Sequence, residues 1–233
     1  MGLIFFPSKM RMNSSTIELV AHDGHHFKAY KAMPDGKPRG AIIVGPEIFG
    51  VNSHIRSVAD GFAAEGYVAI APALFDRAER DFDVGYSPED VAAGRAVMAK
   101  LEWPNTIKDV TAAIEHARPY GKTALVGFCW GGTIAWVAAA RLSGLACTVA
   151  YYGGSIPSFI EEAPKCPIML HFGEQDASLP VDKAREVARR HPSAEAFFYP
   201  AQHGFNCDQR GSYDADSAAL ARQRTLEFLR RHV

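Results

Sequence analysis

The sequence predicts an α/β fold: a mainly parallel sheet with helices on both faces and an antiparallel N-terminal part. Three observations carry this. Thr16–Val20 and His26–Ala32 alternate apolar and polar residues on either side of Asp23-Gly24, the pattern of a two-stranded hairpin. From residue 41 onward the period changes, and Ala41–Val44, Val68–Ala71, Thr123–Val126, Thr148–Tyr152, Ile168–Phe172 and Ala196–Tyr199 form short apolar runs. Between these runs lie amphipathic stretches with helical spacing: Ser53–Ala64, Pro88–Leu101, Ile107–Ala117, Gly132–Leu142, Val181–Arg190 and Asp216–Arg230. Strands that are apolar throughout need cover on both faces. Helices inserted between them provide it and make the strands parallel.

Local signals support the individual elements. A Pro34-Asp-Gly-Lys-Pro-Arg-Gly40 loop follows the hairpin. Ser87-Pro88-Glu89-Asp90 is a helix start, with a capping serine and proline at the first helical position. Asn105 is the expected cap of the helix after it. No internal repeat or low-complexity linker interrupts the chain, so residues 16–233 are expected to form one domain behind an extension over residues 1–15. In open parallel sheets ligands bind at the carboxyl ends of the strands, which directs attention to loops 45–52, 72–87, 127–131, 153–160, 173–180 and 200–213.

Composition narrows the function classes. Of 233 residues, 25 are Lys or Arg and 26 are Asp or Glu, for a net charge of -1. Such a balance gives no long-range field for nucleic acid or an anionic membrane, and a small-molecule substrate is expected instead. No apolar run reaches membrane-spanning length. The opening Met1-Gly-Leu-Ile-Phe-Phe-Pro lacks the basic and long apolar regions of a signal peptide, and Phe6 breaks the myristoylation pattern. The four cysteines, Cys129, Cys147, Cys166 and Cys207, are scattered, with no metal-binding spacing. A cytoplasmic protein without a structural metal is expected, as a monomer or small homo-oligomer.

The chemistry-bearing motif is Gly127-Phe128-Cys129-Trp130-Gly131-Gly132, between an apolar run and a helix. It is the cysteine form of the Gly-x-Ser-x-Gly nucleophile elbow, and points to the α/β-hydrolase fold. A sharp strand-to-helix turn crowds the backbone, so small residues are needed two before and two after the nucleophile. The turn places the sulfur at a helix N-terminus, where the dipole favours thiolate and the Trp130 amide faces a developing oxyanion. A dinucleotide fingerprint would require glycine at position 129 and an acidic residue about 20 positions on, and both are missing.

An elbow needs an acid and a histidine later in the chain. Asp176, in His171-Phe-Gly-Glu-Gln-Asp176, follows one strand, and His203, in Tyr199-Pro-Ala-Gln-His203, follows the next. Each alone is weak: a turn aspartate is usually a cap and a loop histidine is usually solvated. Their order and strand-end positions together assign a Cys129–Asp176–His203 triad. The loop Gly45-Pro-Glu47-Ile48-Phe49-Gly50 occupies the place of the second oxyanion amide, assigned to Ile48. Glu47 is open to two readings, an ordinary loop acid or a carboxylate that acts on the thiol. His22, His25 and His26 read as a solvated hairpin, and His54, His116, His191 and His232 as surface. His171, at a strand end, is core or near the site.

Glu-Ile-Phe-Gly at 47–50, Ala-Pro-Ala-Leu-Phe at 71–75, Gly-Phe-Cys-Trp-Gly-Gly at 127–132, Gly-Glu-Gln-Asp at 173–176 and His-Gly-Phe at 203–205 resemble the dienelactone hydrolase (carboxymethylenebutenolidase) family. The resemblance runs from about residue 16 to the C-terminus. It implies a cofactor-free hydrolase of small esters or lactones, with Cys129 attacking the acyl carbon, His203 moving the proton and Asp176 orienting His203. It also implies that Glu47 contacts the resting thiol and that Arg77 receives a substrate carboxylate. The family's second carboxylate-binding arginine, four residues after the histidine, is Cys207 here, and Arg210 lies out of register. Thioester hydrolysis or acyl transfer on the same triad is an alternative. A non-catalytic binding protein would be expected to have lost a triad member, and a redox protein would need Cys207 to resolve Cys129.

Overall fold

The computed structural model describes residues 13–233. The expected extension over residues 1–15 lies outside the described residues except for its last three, which belong to the first strand. Among the described residues the chain forms one eight-stranded sheet and six α-helices. In chain order these are β1 (Asn13–Val20), β2 (His26–Met33), β3 (Ala41–Gly45), α1 (Ser53–Ala64), β4 (Val68–Pro72), α2 (Pro88–Met98), α3 (Trp103–Ala117), β5 (Thr123–Phe128), α4 (Trp130–Arg141), β6 (Leu145–Tyr151), β7 (Ile168–Gly173), α5 (Val181–Arg190), β8 (Glu195–Tyr199) and α6 (Ala215–His232). The sheet order is β1-β2-β4-β3-β5-β6-β7-β8. β1 pairs antiparallel with β2, and β2 antiparallel with β4, while every later pairing is parallel. This is the α/β-hydrolase arrangement that the change of period predicts.

The central strands are buried along their whole length, which is why they read as continuous apolar runs rather than alternating ones. One face packs against α1 and α6 through Ile55, Phe62, Phe228 and Leu229. The other packs against α3, α4 and α5 through Val110, Ile134, Trp136 and Val187. No helix among the described residues is long and apolar enough to cross a membrane.

Two expectations about elements are corrected. Ser87 caps α2 in a reciprocal capping box with Asp90, but Asn105 caps nothing. α3 begins two residues earlier at Trp103, and the Asn105 amide donates to Glu102 instead. The missed signal is Pro104 in the first helical turn, where a proline costs no hydrogen bond. β6 begins at Leu145 rather than Thr148, on the far side of a register shift against β5 at Thr123 and Ala124.

Candidate active site

The loops that leave the carboxyl ends of β3, β5, β7 and β8 converge on Cys129. Cys129 sits between β5 and α4 with φ +54°, a left-handed conformation that strains any residue with a Cβ. Its flanking glycines are required by close approach. A Cβ on Gly127 would lie 1.9 Å from the Gly131 carbonyl oxygen, and one on Gly131 would lie 2.2 Å from that of Gly45. The Cys129 amide donates to Tyr151 at 3.0 Å and the Gly131 amide to Pro46 at 3.0 Å, which fixes the elbow against β6 and the β3 loop. Trp130 is the first residue of α4, so its N–H has no intrahelical acceptor.

Asp176 and His203 meet as their order predicts. The buried Asp176 carboxylate accepts from His203 Nδ1 at 2.8 Å through Oδ2. Its Oδ1 accepts the amides of Ser178 at 2.7 Å and Leu179 at 3.1 Å, so the loop's own backbone holds the carboxylate in place. The His203 ring lines the same cleft as Cys129 and packs edge-on against Tyr152, centroids 5.1 Å apart. Burial opposes protonation of the ring. The negative charge at Cys129 and the bond to Asp176 outweigh it and raise the imidazole to about 10.

Glu47 is fully buried and accepts from Arg210 Nη1 at 3.0 Å through Oε1, while Oε2 has no hydrogen-bond partner among the described residues. Arg210 lies over the rings of Phe49 and Tyr86, 5.6 and 5.8 Å from their centroids. Burial, followed by the charge of Glu47, raises both the Tyr86 and Tyr152 hydroxyls. Cys129, His203, Ile48, Trp130 and Arg210 share a cleft of about 270 Å³, with Phe49, Val91, Met98 and Arg95 on its walls.

Arg77 is the site candidate that the structure does not bring to this cleft. Its guanidinium is held by Asp109 at 2.7 and 2.8 Å and by Asp23 at 3.0 Å. Asp109 is completely buried, and this pair joins the short helical turn after β4 to α3. The Arg77 Nε and Nη2 are engaged by these two carboxylates, and Arg77 does not line the cleft that holds Cys129. Arg210 and Arg95 are the arginines that reach the cleft. Arg95 was missed because α2 reads as an ordinary amphipathic helix. The seven-residue spacing from His203 hid Arg210, which the loop returns to Glu47.

The remaining histidines divide. His22 and His26 make exposed pairs with Glu115 and Glu18, as a solvated hairpin would. His171 is core: it bonds Tyr199 and Thr225, and burial lowers it to about 3. His54, expected at the surface, is buried.

The dienelactone hydrolase family profile matches residues 27–233. The chain belongs to the dienelactone hydrolase family. It is similar to the carboxymethylenebutenolidase of Pseudomonas putida, 32% identical over 94% of this chain and 97% of that one. A Synechocystis sp. protein named for the same activity is 36% identical over 92% of this chain and 95% of its own length. A crystal structure of a Klebsiella pneumoniae protein described as a dienelactone hydrolase superposes with a TM-score of 0.78 at 31% identity, covering 92% of this chain and 97% of that one. As a dienelactone hydrolase family member, the protein is a hydrolase of the carboxylic ester class.

Proposed function

We propose that the protein hydrolyses a small carboxylic ester or lactone through a thioester on Cys129, with side chains and backbone amides as the catalytic groups. The observation that supports this most is the Asp176–His203 hydrogen bond at a cleft that His203 shares with Cys129, Ile48 and Trp130. In the resting site the raised imidazole is protonated beside the sulfur. The Cys129 Sγ attacks the acyl carbon, and the carbonyl oxygen gains the negative charge in reach of the Ile48 and Trp130 amides. As the C–O bond breaks, His203 gives its proton to the departing oxygen. Neutral His203 then takes a proton from water, whose oxygen attacks the thioester. The acid leaves, and the proton on His203 restores the pair with the sulfur.

The test is mass spectrometry of protein quenched during turnover of an activated ester. An acyl mass on the peptide containing Cys129 is expected. Turnover with no adduct under any quench, and with no burst of the leaving group, would exclude the covalent route.

The walls narrow the substrate. Phe49, Val91, Met98 and Trp130 suit an apolar body, and Arg95 pairs with no carboxylate among the described residues. Arg210 is already balanced by Glu47. A substrate with one carboxylate, held by Arg95, fits these walls. Arg95→Ala is expected to lower kcat/KM for a carboxylated ester by about 10-fold, the worth of one solvent-accessible charge-assisted contact, and to leave its neutral analogue unchanged. Arg77→Ala is expected to spare this preference but cost about 3–5 kcal/mol of stability, because it strands the buried Asp109 carboxylate. Paired kinetics and thermal melts of the two variants decide between them. If Arg77→Ala abolished the preference in a protein of unchanged Tm, the assignments would be reversed.

Glu47 is proposed to restrain the sulfur by holding Arg210. With Glu47→Gln the guanidinium loses its buried partner and its charge bears on Cys129. Alkylation of Cys129 by iodoacetamide without substrate should speed up by roughly 3- to 10-fold on the acid side of its pH profile, where part of the sulfur is protonated, as expected for an uncompensated charge at an effective dielectric near 20. An unchanged alkylation rate would remove Glu47 from the thiol's electrostatics.

A further inference from the structure

Behind the cleft, the loop that carries His203 folds back onto the start of α1, and three donor side chains meet there. His54, the second residue of α1, is only 4% exposed. Its Nδ1 lies 3.2 Å from Asp208 Oδ1, and its Nε2 is buried with no hydrogen-bond partner among the described residues. Cys207 is fully buried and is a free thiol. One donor atom from each of His54, Cys207 and Asp208 lies within 4.8 Å of the other two. His54 and Asp208 also line a cavity of about 320 Å³ between α1 and α6, which gives these two donors a path to solvent.

We propose that His54, Cys207 and Asp208 form a binding site for one divalent transition-metal ion of the zinc type. The donor set decides the class of ion. An imidazole nitrogen, a thiolate sulfur and one carboxylate oxygen suit zinc or cobalt, whereas magnesium and calcium require mostly oxygen. A tetrahedral ion with bonds of about 2.0–2.3 Å keeps its ligand atoms roughly 3.3–3.8 Å apart, so binding needs the widest separation in the cluster to close by no more than about 1 Å. The donor able to move is Asp208, whose side chain is 67% exposed, while His54 and Cys207 are held by the core. Three protein ligands leave a fourth position for water.

Near Cys207, the Tyr86 hydroxyl accepts from the Asn52 amide at 3.0 Å. As the metal–sulfur bond forms, the thiol proton passes to solvent, one proton for each ion bound. The ion would fasten the loop bearing His203 and Arg210 to α1. A histidine–aspartate hydrogen bond that joins loop to helix without metal is the competing account.

The test is a Co²⁺ titration of the full chain carrying Cys129→Ala, which keeps the reactive thiol and His203 from competing for the ion. One ion per chain is expected, with a near-ultraviolet sulfur-to-cobalt charge-transfer band that Zn²⁺ abolishes. The band should vanish with Cys207→Ser. It should need at least about 100-fold more Co²⁺ with His54→Gln or Asp208→Asn, since loss of a ligand costs no less than loss of a supporting contact. The His54 and Asp208 variants keep the test decisive if Cys207→Ser does not fold. The proposal is overturned if no saturable band forms. It is overturned equally if the band survives Cys207→Ser and is unmoved in the other two variants, which would put the ion on Cys147 or Cys166.

Discussion

Cys129→Ala is expected to fold normally and to lose ester turnover by about 10⁴- to 10⁶-fold, as when other covalent nucleophiles are removed. Folding should survive because the constraints on the elbow belong to its neighbours. Gly127 and Gly131 supply the close approach, and the residue-129 amide still donates to Tyr151. The cost of φ +54° is paid by alanine and cysteine alike. Any residual rate over water would come from the oxyanion amides and substrate binding, neither of which needs the sulfur. The variant also carries an internal control. His203 stands at about 10 partly because of the negative charge at Cys129, so removing the sulfur should drop the imidazole toward its ordinary range. An NMR titration of the His203 ring reads this directly. A folded alanine variant with near wild-type turnover would sink the nucleophile assignment. An unmoved His203 would show that the sulfur's charge is not what holds its proton.

The legible part of this site was the part dictated by local backbone sterics and chain order. The elbow shows in sequence because no residue larger than glycine fits at 127 or 131. Asp176 and His203 show because a parallel sheet sends the loops after its strands to one edge, and both lie on such loops. Glu47 and Ile48 follow for the same reason, since they leave β3. The charged groups that surround the reacting atoms were not legible. Arg77 stands in a motif that matches the family, yet its partners come from a hairpin turn and from the middle of α3. Arg210 reaches Glu47 only because the loop after β8 turns back. His54 reads as a polar residue at a helix start and is buried only because that same loop closes over it. Side chains placed by long-range loop paths leave no periodic or spacing signal, so motif and chain order point to Cys129, Asp176 and His203 as the proposed reacting groups and say nothing of the charged groups around them.

The second large effect expected is on the pair that serves the sulfur. His203→Ala should lower turnover by about 10³- to 10⁶-fold and Asp176→Asn by about 10²- to 10⁴-fold, and the double variant should be no more than a few-fold worse than His203→Ala alone. The geometry gives the reason. Asp176 uses one oxygen to accept the Ser178 and Leu179 amides and the other to accept from His203 Nδ1. An asparagine satisfies the two amides only with its carbonyl oxygen, which turns its NH₂ toward His203. The ring must then accept at Nδ1 and carry its proton on Nε2, the nitrogen that has to exchange protons with Cys129, the leaving oxygen and water. The defect of Asp176→Asn is therefore expressed entirely through His203, and without that ring there is nothing left for Asp176 to orient. Steady-state kinetics on one activated ester across the two single variants and the double variant supply the cycle. Losses that multiply would mean that Asp176 and His203 act separately, and the triad would have to be abandoned even though the two side chains lie 2.8 Å apart.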